Sequence, residues 1–167
     1  MQEEKQYFVK ESDFIVSKTD TKGKITYCNE AFLEIVGARS SDLLGKPHNI
    51  IRHPDMPRIV FKLLWDRIKS KKEIFAFVKN KSFKGGFYWV FANVTASLNE
   101  KGDIVGYHSV RRSPNMDGVK VIDGIYKKLL DAEKSGGMEA SGKLLEQILK
   151  ENKISYDELV HKLQRGN

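Results

Sequence analysis

Apolar residues fall along this chain first at strand spacing, then at helical spacing, then at strand spacing again. Phe14-Ile15-Val16-Ser17-Lys18-Thr19 is rich in β-branched residues and predicts a strand, and Lys24-Ile25-Thr26-Tyr27-Cys28 predicts its return after the turn Asp20-Thr21-Lys22-Gly23. Asn29 suits the N-cap of a helix in which Phe32, Ile35 and Val36 share a face before Gly37 ends it. Ser40 to Leu44 predicts one more helical turn. Pro57 then opens a longer helix whose stripe is Phe61, Leu64, Trp65 and Ile68, and Lys69, Lys71 and Lys72 suit the negative end of its dipole. Beyond it the period is two. Residues 74–80, 87–95 and 104–110 predict three strands, turning around Gly85-Gly86 and Asn99-Glu100-Lys101-Gly102. The order predicts an α+β domain with a five-stranded antiparallel sheet and short helices on one face.

From Asp117 the pattern is helical again. Ile122, Ile125, Tyr126, Leu129 and Leu130 form one stripe, which stops near Gly136-Gly137, and Leu144, Leu145, Ile148 and Leu149 form a second. Ser155-Tyr156-Asp157-Glu158 is a capping-box pattern ahead of a third helix with Leu159, Val160 and Leu163. Such stripes suit packing on the domain's own sheet or self-association as a homodimer, and the pattern leaves both open. Three segments follow: an N-terminal extension over 1–11, a domain over 12–113 and a C-terminal helical extension over 114–167.

Composition adds a soluble, globular class, with 40% hydrophobic and 31% charged residues among 167. No apolar run reaches the roughly 18 residues that span a bilayer, so direct membrane insertion is not expected. Met1-Gln2-Glu3-Glu4-Lys5 is charged and is not read as a signal peptide. A single cysteine, Cys28, makes no internal disulfide, and a reducing cytoplasm is the natural setting. The net charge of +7 is concentrated before the tail, with nine basic and two acidic residues over 58–84. That excess suits a solvated face, a phosphate-bearing ligand or an acidic partner; no recognised nucleic-acid motif accompanies it.

The densest chemistry lies in Gly45-Lys46-Pro47-His48-Asn49-Ile50-Ile51-Arg52-His53-Pro54-Asp55-Met56-Pro57, a polar, turn-rich run between two apolar segments. An ordinary connector needs only Gly, Asn or Ser, so this one suggests a site. Arg52 and His53 could each serve a phosphate or an ordinary surface contact, and Asp55 also suits an N-cap. Asn29 and Asn80 are amides that donate and accept together, or a helix cap and a turn residue. Trp65 and Trp89 suit core packing or a ligand wall.

The run 45–57 closely resembles the corresponding stretch of PAS domains from bacterial aerotaxis receptors of the Aer type. So do Ile25-Thr26-Tyr27-Cys28-Asn29-Glu30-Ala31-Phe32, Phe77-Val78-Lys79-Asn80, Tyr88-Trp89-Val90 and Gly106-Tyr107-His108-Ser109-Val110-Arg111. The resemblance covers about residues 12–113. It implies a PAS domain that holds FAD non-covalently and reports redox status to the chemotaxis machinery. By that resemblance Arg52, His53 and Asp55 are motif residues on which FAD binding depends, with His48 and Asn49 in the same run. Asn29, Trp65, Asn80 and Trp89 match residues in or beside the flavin pocket. Ile74 departs from the tryptophan that some members carry. The chain shows no transmembrane anchor, HAMP segment or long signalling hairpin, so it resembles the soluble member of a two-protein energy-taxis system. Its expected partner is a membrane-bound chemoreceptor, which would be its one link to the membrane.

No GxGxxG, Ser-His-Asp or metal-ligand spacing accompanies these residues, so a signalling module is expected and an enzyme such as a flavin reductase is not. Cys28 sits at a strand end, which disfavours thiol-adduct photochemistry. Haem with His48, His53 or His108 as axial ligand stands as the alternative, beside a ligand-free interaction module.

Overall fold

The computed structural model describes residues 3–166; Met1, Gln2 and Asn167, and with them the first two residues of the charged N-terminus, lie outside that description. The hairpin of β2 (Ile15–Thr19) and β3 (Ile25–Cys28) opens the domain. Three elements cross one face of the sheet after it: α1 (Glu30–Val36), α2 (Ser40–Leu43) and a 3-10 turn at His48–Ile51. Helix α3 (Arg58–Lys69) follows, then the antiparallel strands β4 (Ile74–Lys81), β5 (Phe87–Leu98) and β6 (Ile104–Arg112). β6 returns to pair with β2, which gives the spatial order β4-β5-β6-β2-β3. The expected α+β fold with its five antiparallel strands is present.

A sixth strand, β1 (Gln6–Tyr7), is also present and runs parallel to β5 at Phe87 and Tyr88. β4 pairs with those two residues from the other side, so β1 occupies the edge of β5 beyond the end of β6. Two residues carry too little periodicity to announce a strand. What holds it is close backbone approach: a β-carbon on Gly86 (φ +96°) would collide with the carbonyl of Lys5.

Alternation within the strands sorts the core. Ile74, Ala76, Val78, Tyr88, Val90 and Ala92 are buried on the face toward α3, joined there by Phe32, Leu43 and Ile51 from the crossing elements. Each large apolar side chain fully buried in this way contributes about 1.5–3 kcal/mol. Phe75, Phe77, Trp89 and Phe91 alternate onto the opposite face, and there the tail covers them.

The tail consists of α4 (Met116–Glu151), broken by the non-helical Gly137, and α5 (Tyr156–Arg165). The break falls where the first apolar stripe ends, and Ser155 with Glu158 forms the expected capping box. The tail packs on the chain itself: the first stripe and α5 lie on the sheet, while the second half of α4 meets Ile59 of α3 at Gly142. Tyr126 stacks on Trp89, and His161 lies edge-on to Phe75 and close to Phe91. No helix among the described residues is long and apolar enough to cross a membrane.

Candidate ligand-binding cavity

The run 45–57 forms one wall of an internal cavity because it is stitched at both ends to the sheet. At its start the amide of His48 donates to the carbonyl of Gly23 (3.0 Å) and Ile25 donates to Lys46 (2.9 Å). At its end Arg52 bridges to Asn80, and the amide of His53 donates to the carbonyl of Lys79 (3.3 Å). The chain therefore spans from the β2–β3 turn to β4, and α3 descends from it across the sheet. Pro57 stands just outside α3 as its N-cap, and a proline offers no side-chain acceptor to the first amides. Glu133 of α4 supplies it instead, accepting from Arg58 (3.1 Å) and Ile59 (3.0 Å).

Between α3, the run and the inner sheet face lies a cavity of about 190 Å³. Its apolar walls include Phe61, Leu64, Trp65 and Ile68 from α3, opposed by Val78, Ala92 and Val94 from the sheet. Trp65 is fixed edge-on to Tyr107 (5.2 Å), and Lys69 lies over its ring. Exposed Lys22 and Asn49 also border the cavity, on its solvent side. This is less than the roughly 300–1,000 Å³ of sites that engulf a whole ligand, so it suits one planar ring with the remainder projecting outward.

The polar groups of the cavity are unusual in what they lack. Arg111 of β6 is buried and fully surrounded by neutral groups: its Nη2 donates to Ser17 Oγ (2.9 Å) and its Nη1 to Ser109 Oγ (3.1 Å). His48 Nε2 lies 2.9 Å from Ser17 Oγ and 3.3 Å from Arg111 Nη1, and its ring stacks on Phe32. Burial, reinforced by the Arg111 cation, lowers the His48 imidazole to about 3, so it is neutral and Nε2 accepts. Burial lowers Arg111 as well, to about 10, which leaves it charged at neutral pH. Two buried polar atoms of cavity-lining residues have no partner, Arg111 Nε and Arg52 Nε, while the buried hydroxyl of Tyr88 lies off the cavity wall beside Asn80. Arg52 places its guanidinium 3.5 Å above the Phe61 ring. The Asn80 amide, directly across from Tyr88 in the sheet, also borders the cavity.

The sequence-predicted residues divide accordingly. His48, Asn49, Arg52, Trp65 and Asn80 come together on the cavity wall. His53, Asp55, Asn29 and Trp89 do not. His53 Nδ1 accepts from the Asp55 amide (3.0 Å), which leaves Nε2 to donate to Glu4 (3.1 Å), so the ring ties the N-terminal segment to the run. Asp55 pairs with Lys79 (2.7 Å); burial raises its carboxyl, but the hydrogen bond and charge of Lys79 outweigh that and leave it below its usual range. Asp55 caps no helix, since α3 begins three residues later. Asn29 caps α1 by accepting from Phe32, accepts from Val16 and donates to Phe14 (2.7 Å), which consumes its amide locally. Trp89 is on the far sheet face under Tyr126. Cys28 is half-buried at the end of β3 and is not on the cavity wall.

Of the histidines, only His48 and His108 border the cavity, and His48 Nε2 is engaged. Arg111, Ser17, Ser109 and Tyr88 were not among the sequence-predicted residues. The available signal was period two: serine and arginine at inward positions of buried strands are costly unless they serve something.

The family model described as "PAS fold" matches residues 3–111. The aerotaxis receptor of Escherichia coli (strain K12) is 36% identical over 115 residues, which is 69% of this chain and 22% of the receptor. The nitrogen fixation regulatory protein of Klebsiella pneumoniae is 26% identical over 104 residues, 62% of this chain and 21% of that protein. The chain thus spans less than a quarter of the length of these relatives. Among solved structures, a light-oxygen-voltage domain studied with a flavin analogue superposes with a TM-score of 0.59 at 18% identity, covering 65% of this chain and 82% of that one. The dark-state LOV domain of the photoreceptor Aureochrome1 gives 0.58 at 24% identity, covering 64% and 80%. These last two bear on the fold alone.

Proposed function

Because the chain belongs to the PAS family, we propose that it is a flavin-binding redox sensor, with FAD as the ligand and a membrane-bound chemoreceptor as the partner it signals to in trans. The observation that carries the flavin reading is the donor set of the cavity. Two residues with buried, unpartnered donors, Arg52 and Arg111, and the Asn80 amide border a space walled by aromatic and aliphatic side chains. A flavin ring has that inverse pattern: two apolar faces and a rim of carbonyl oxygens and ring nitrogens. The residues present therefore fit the group. Trp65 and Phe61 would hold the ring faces, while Asn80 and Arg111 would hold its polar rim. A bound flavin would supply a reversible two-electron, proton-coupled centre.

Arg52 and Lys22, toward the solvent side of the cavity, suit the pyrophosphate that distinguishes FAD; the resemblance to aerotaxis receptors favours FAD on the same point. The chain's own residues would then relay a change at the rim through Asn80 into β4. That strand carries the tail on its opposite face. The sensing reading is preferred to an enzymatic one because the cavity's hydroxyl–imidazole pair, Ser17 Oγ with His48 Nε2, is held against the Arg111 cation, which with burial keeps that imidazole a weak base. A cytoplasmic setting, at the membrane through the receptor alone, belongs to the same proposal.

The test is the absorption spectrum of the purified protein, followed by chromatography of the released ligand. A two-banded flavin spectrum yielding FAD is expected. A Soret band would make this a haem sensor. A colourless protein that refuses added FAD would leave an interaction module. Trans signalling is tested by co-purification with a chemoreceptor cytoplasmic domain, and absence of any complex in either flavin redox state would remove it.

A further inference from the structure

A buried guanidinium normally faces a carboxylate, since an isolated charge in a low-dielectric interior is heavily penalised. Arg111 is 3% exposed, and no carboxylate lies within ion-pairing distance of it among the described residues. Its partners are two hydroxyls and a neutral imidazole, with the Phe32 ring 4.7 Å away. The two other ionisable groups that it senses, Tyr88 and Cys28, are both raised by burial and are neutral at pH 7. Arg52, the second arginine of the cavity, is only half-buried and shares its charge with solvent.

The network also fixes where Arg111 can act. Nη1 serves Ser109 and His48 and Nη2 serves Ser17, while Nε has no partner. Ser17 and Ser109 sit opposite one another on β2 and β6, so the guanidinium is held by two strands at once. A rigid, unneutralised cation at a ligand cavity distinguishes ligands by charge, because its Coulomb term is little screened there.

We propose that Arg111 is the charge selector of the cavity, favouring a ligand whose inner edge carries negative charge. This rests on the flavin reading, in which the neutral oxidised ring becomes a monoanion on taking up two electrons and one proton. The cavity then binds reduced FAD more tightly than oxidised FAD, and Arg111 is the residue responsible. The neutral state of His48 is part of the device, since a second cation there would be repelled by Arg111 rather than help it.

The experiment titrates FAD into the full chain, aerobically and after reduction by dithionite, for the unaltered protein, Arg111→Lys and Arg111→Gln. The expected result is at least tenfold tighter binding of the reduced form, equivalent to a potential of the bound couple about 30 mV or more above that of free FAD. Arg111→Lys retains most of that ratio, and Arg111→Gln brings it toward one while circular dichroism stays unchanged. Equal affinity for the two forms in the unaltered protein overturns the inference but leaves the flavin reading standing, and so does an undiminished ratio in Arg111→Gln. An unaltered protein that takes up FAD in neither form removes both. Should Arg111→Gln fail to fold, the ratio in the unaltered protein and in Arg111→Lys decides alone.

Discussion

The hydroxyl of Tyr126 donates to the backbone carbonyl of Phe77 across 2.7 Å, from the tail helix to the unpaired edge of β4. Tyr156 does the same for Phe75 at 2.8 Å, and the amide of His53 serves Lys79 at 3.3 Å. These three carbonyls alternate along one edge because β4 pairs with β5 alone. Open strand edges invite pairing with other chains, and here the tail and the polar run close this one.

Tyr126→Phe and Tyr156→Phe should each lower stability by about 1–2 kcal/mol, because the lost hydroxyl leaves a buried carbonyl unpaired. Urea unfolding should show reduced midpoints, and hydrogen exchange in α4 and α5 should accelerate ahead of the central strands. Unchanged midpoints in both variants would mean that something else holds the tail.

Glu133 is the helix cap that Pro57 cannot provide, and Ser141 donates to the same carboxylate at 3.0 Å. Glu133→Ala should cost about 1–2 kcal/mol, the scale of losing a capping acceptor. It should also loosen the tail from α3, so proteolysis should reach the segment around Gly137 sooner. A tail equally protected in the variant would contradict this coupling.

Asn29 braces β2 to α1 with its whole amide, so Asn29→Ala should act on stability. A drop of about 1–2 kcal/mol in urea is expected, with FAD affinity of the folded fraction little changed. A selective loss of flavin from a fully stable variant would instead place Asn29 at the ligand.

His48 gives the fold an acid sensitivity. Burial and the Arg111 cation hold its imidazole at about 3, against an unfolded value near 6.5. Above pH 6.5 neither state takes the proton. Between 6.5 and about 3 the unfolded chain takes it and the native chain does not, which removes about 1.4 kcal/mol of stability per pH unit. His48→Gln should flatten that slope between pH 6.5 and 4.5, as read from urea midpoints. Parallel pH profiles for the two proteins would show that His48 is not the group responsible.

Much of the fold could be read along the chain because its signals are local. The period-two stretches around Phe77, Val90 and Tyr107, the cap at Asn29, the stop at Gly37 and the break at Gly137 all depend on near neighbours in sequence. The polar run stood out in the sequence as well, and five of the nine residues it and its surroundings nominated border the candidate cavity. Tertiary structure alone decided which way each side chain turned. Sheet parity sent Trp89 to the far face, and a bond to Asp55 aimed His53 at Glu4 and away from the cavity. The arrangement of β6 against β2 brought Arg111 to Ser17 across 94 positions of sequence, a meeting that no local pattern encodes. Periodicity specifies faces; only the packed sheet and helices determine which face encloses a ligand and which is covered by the tail.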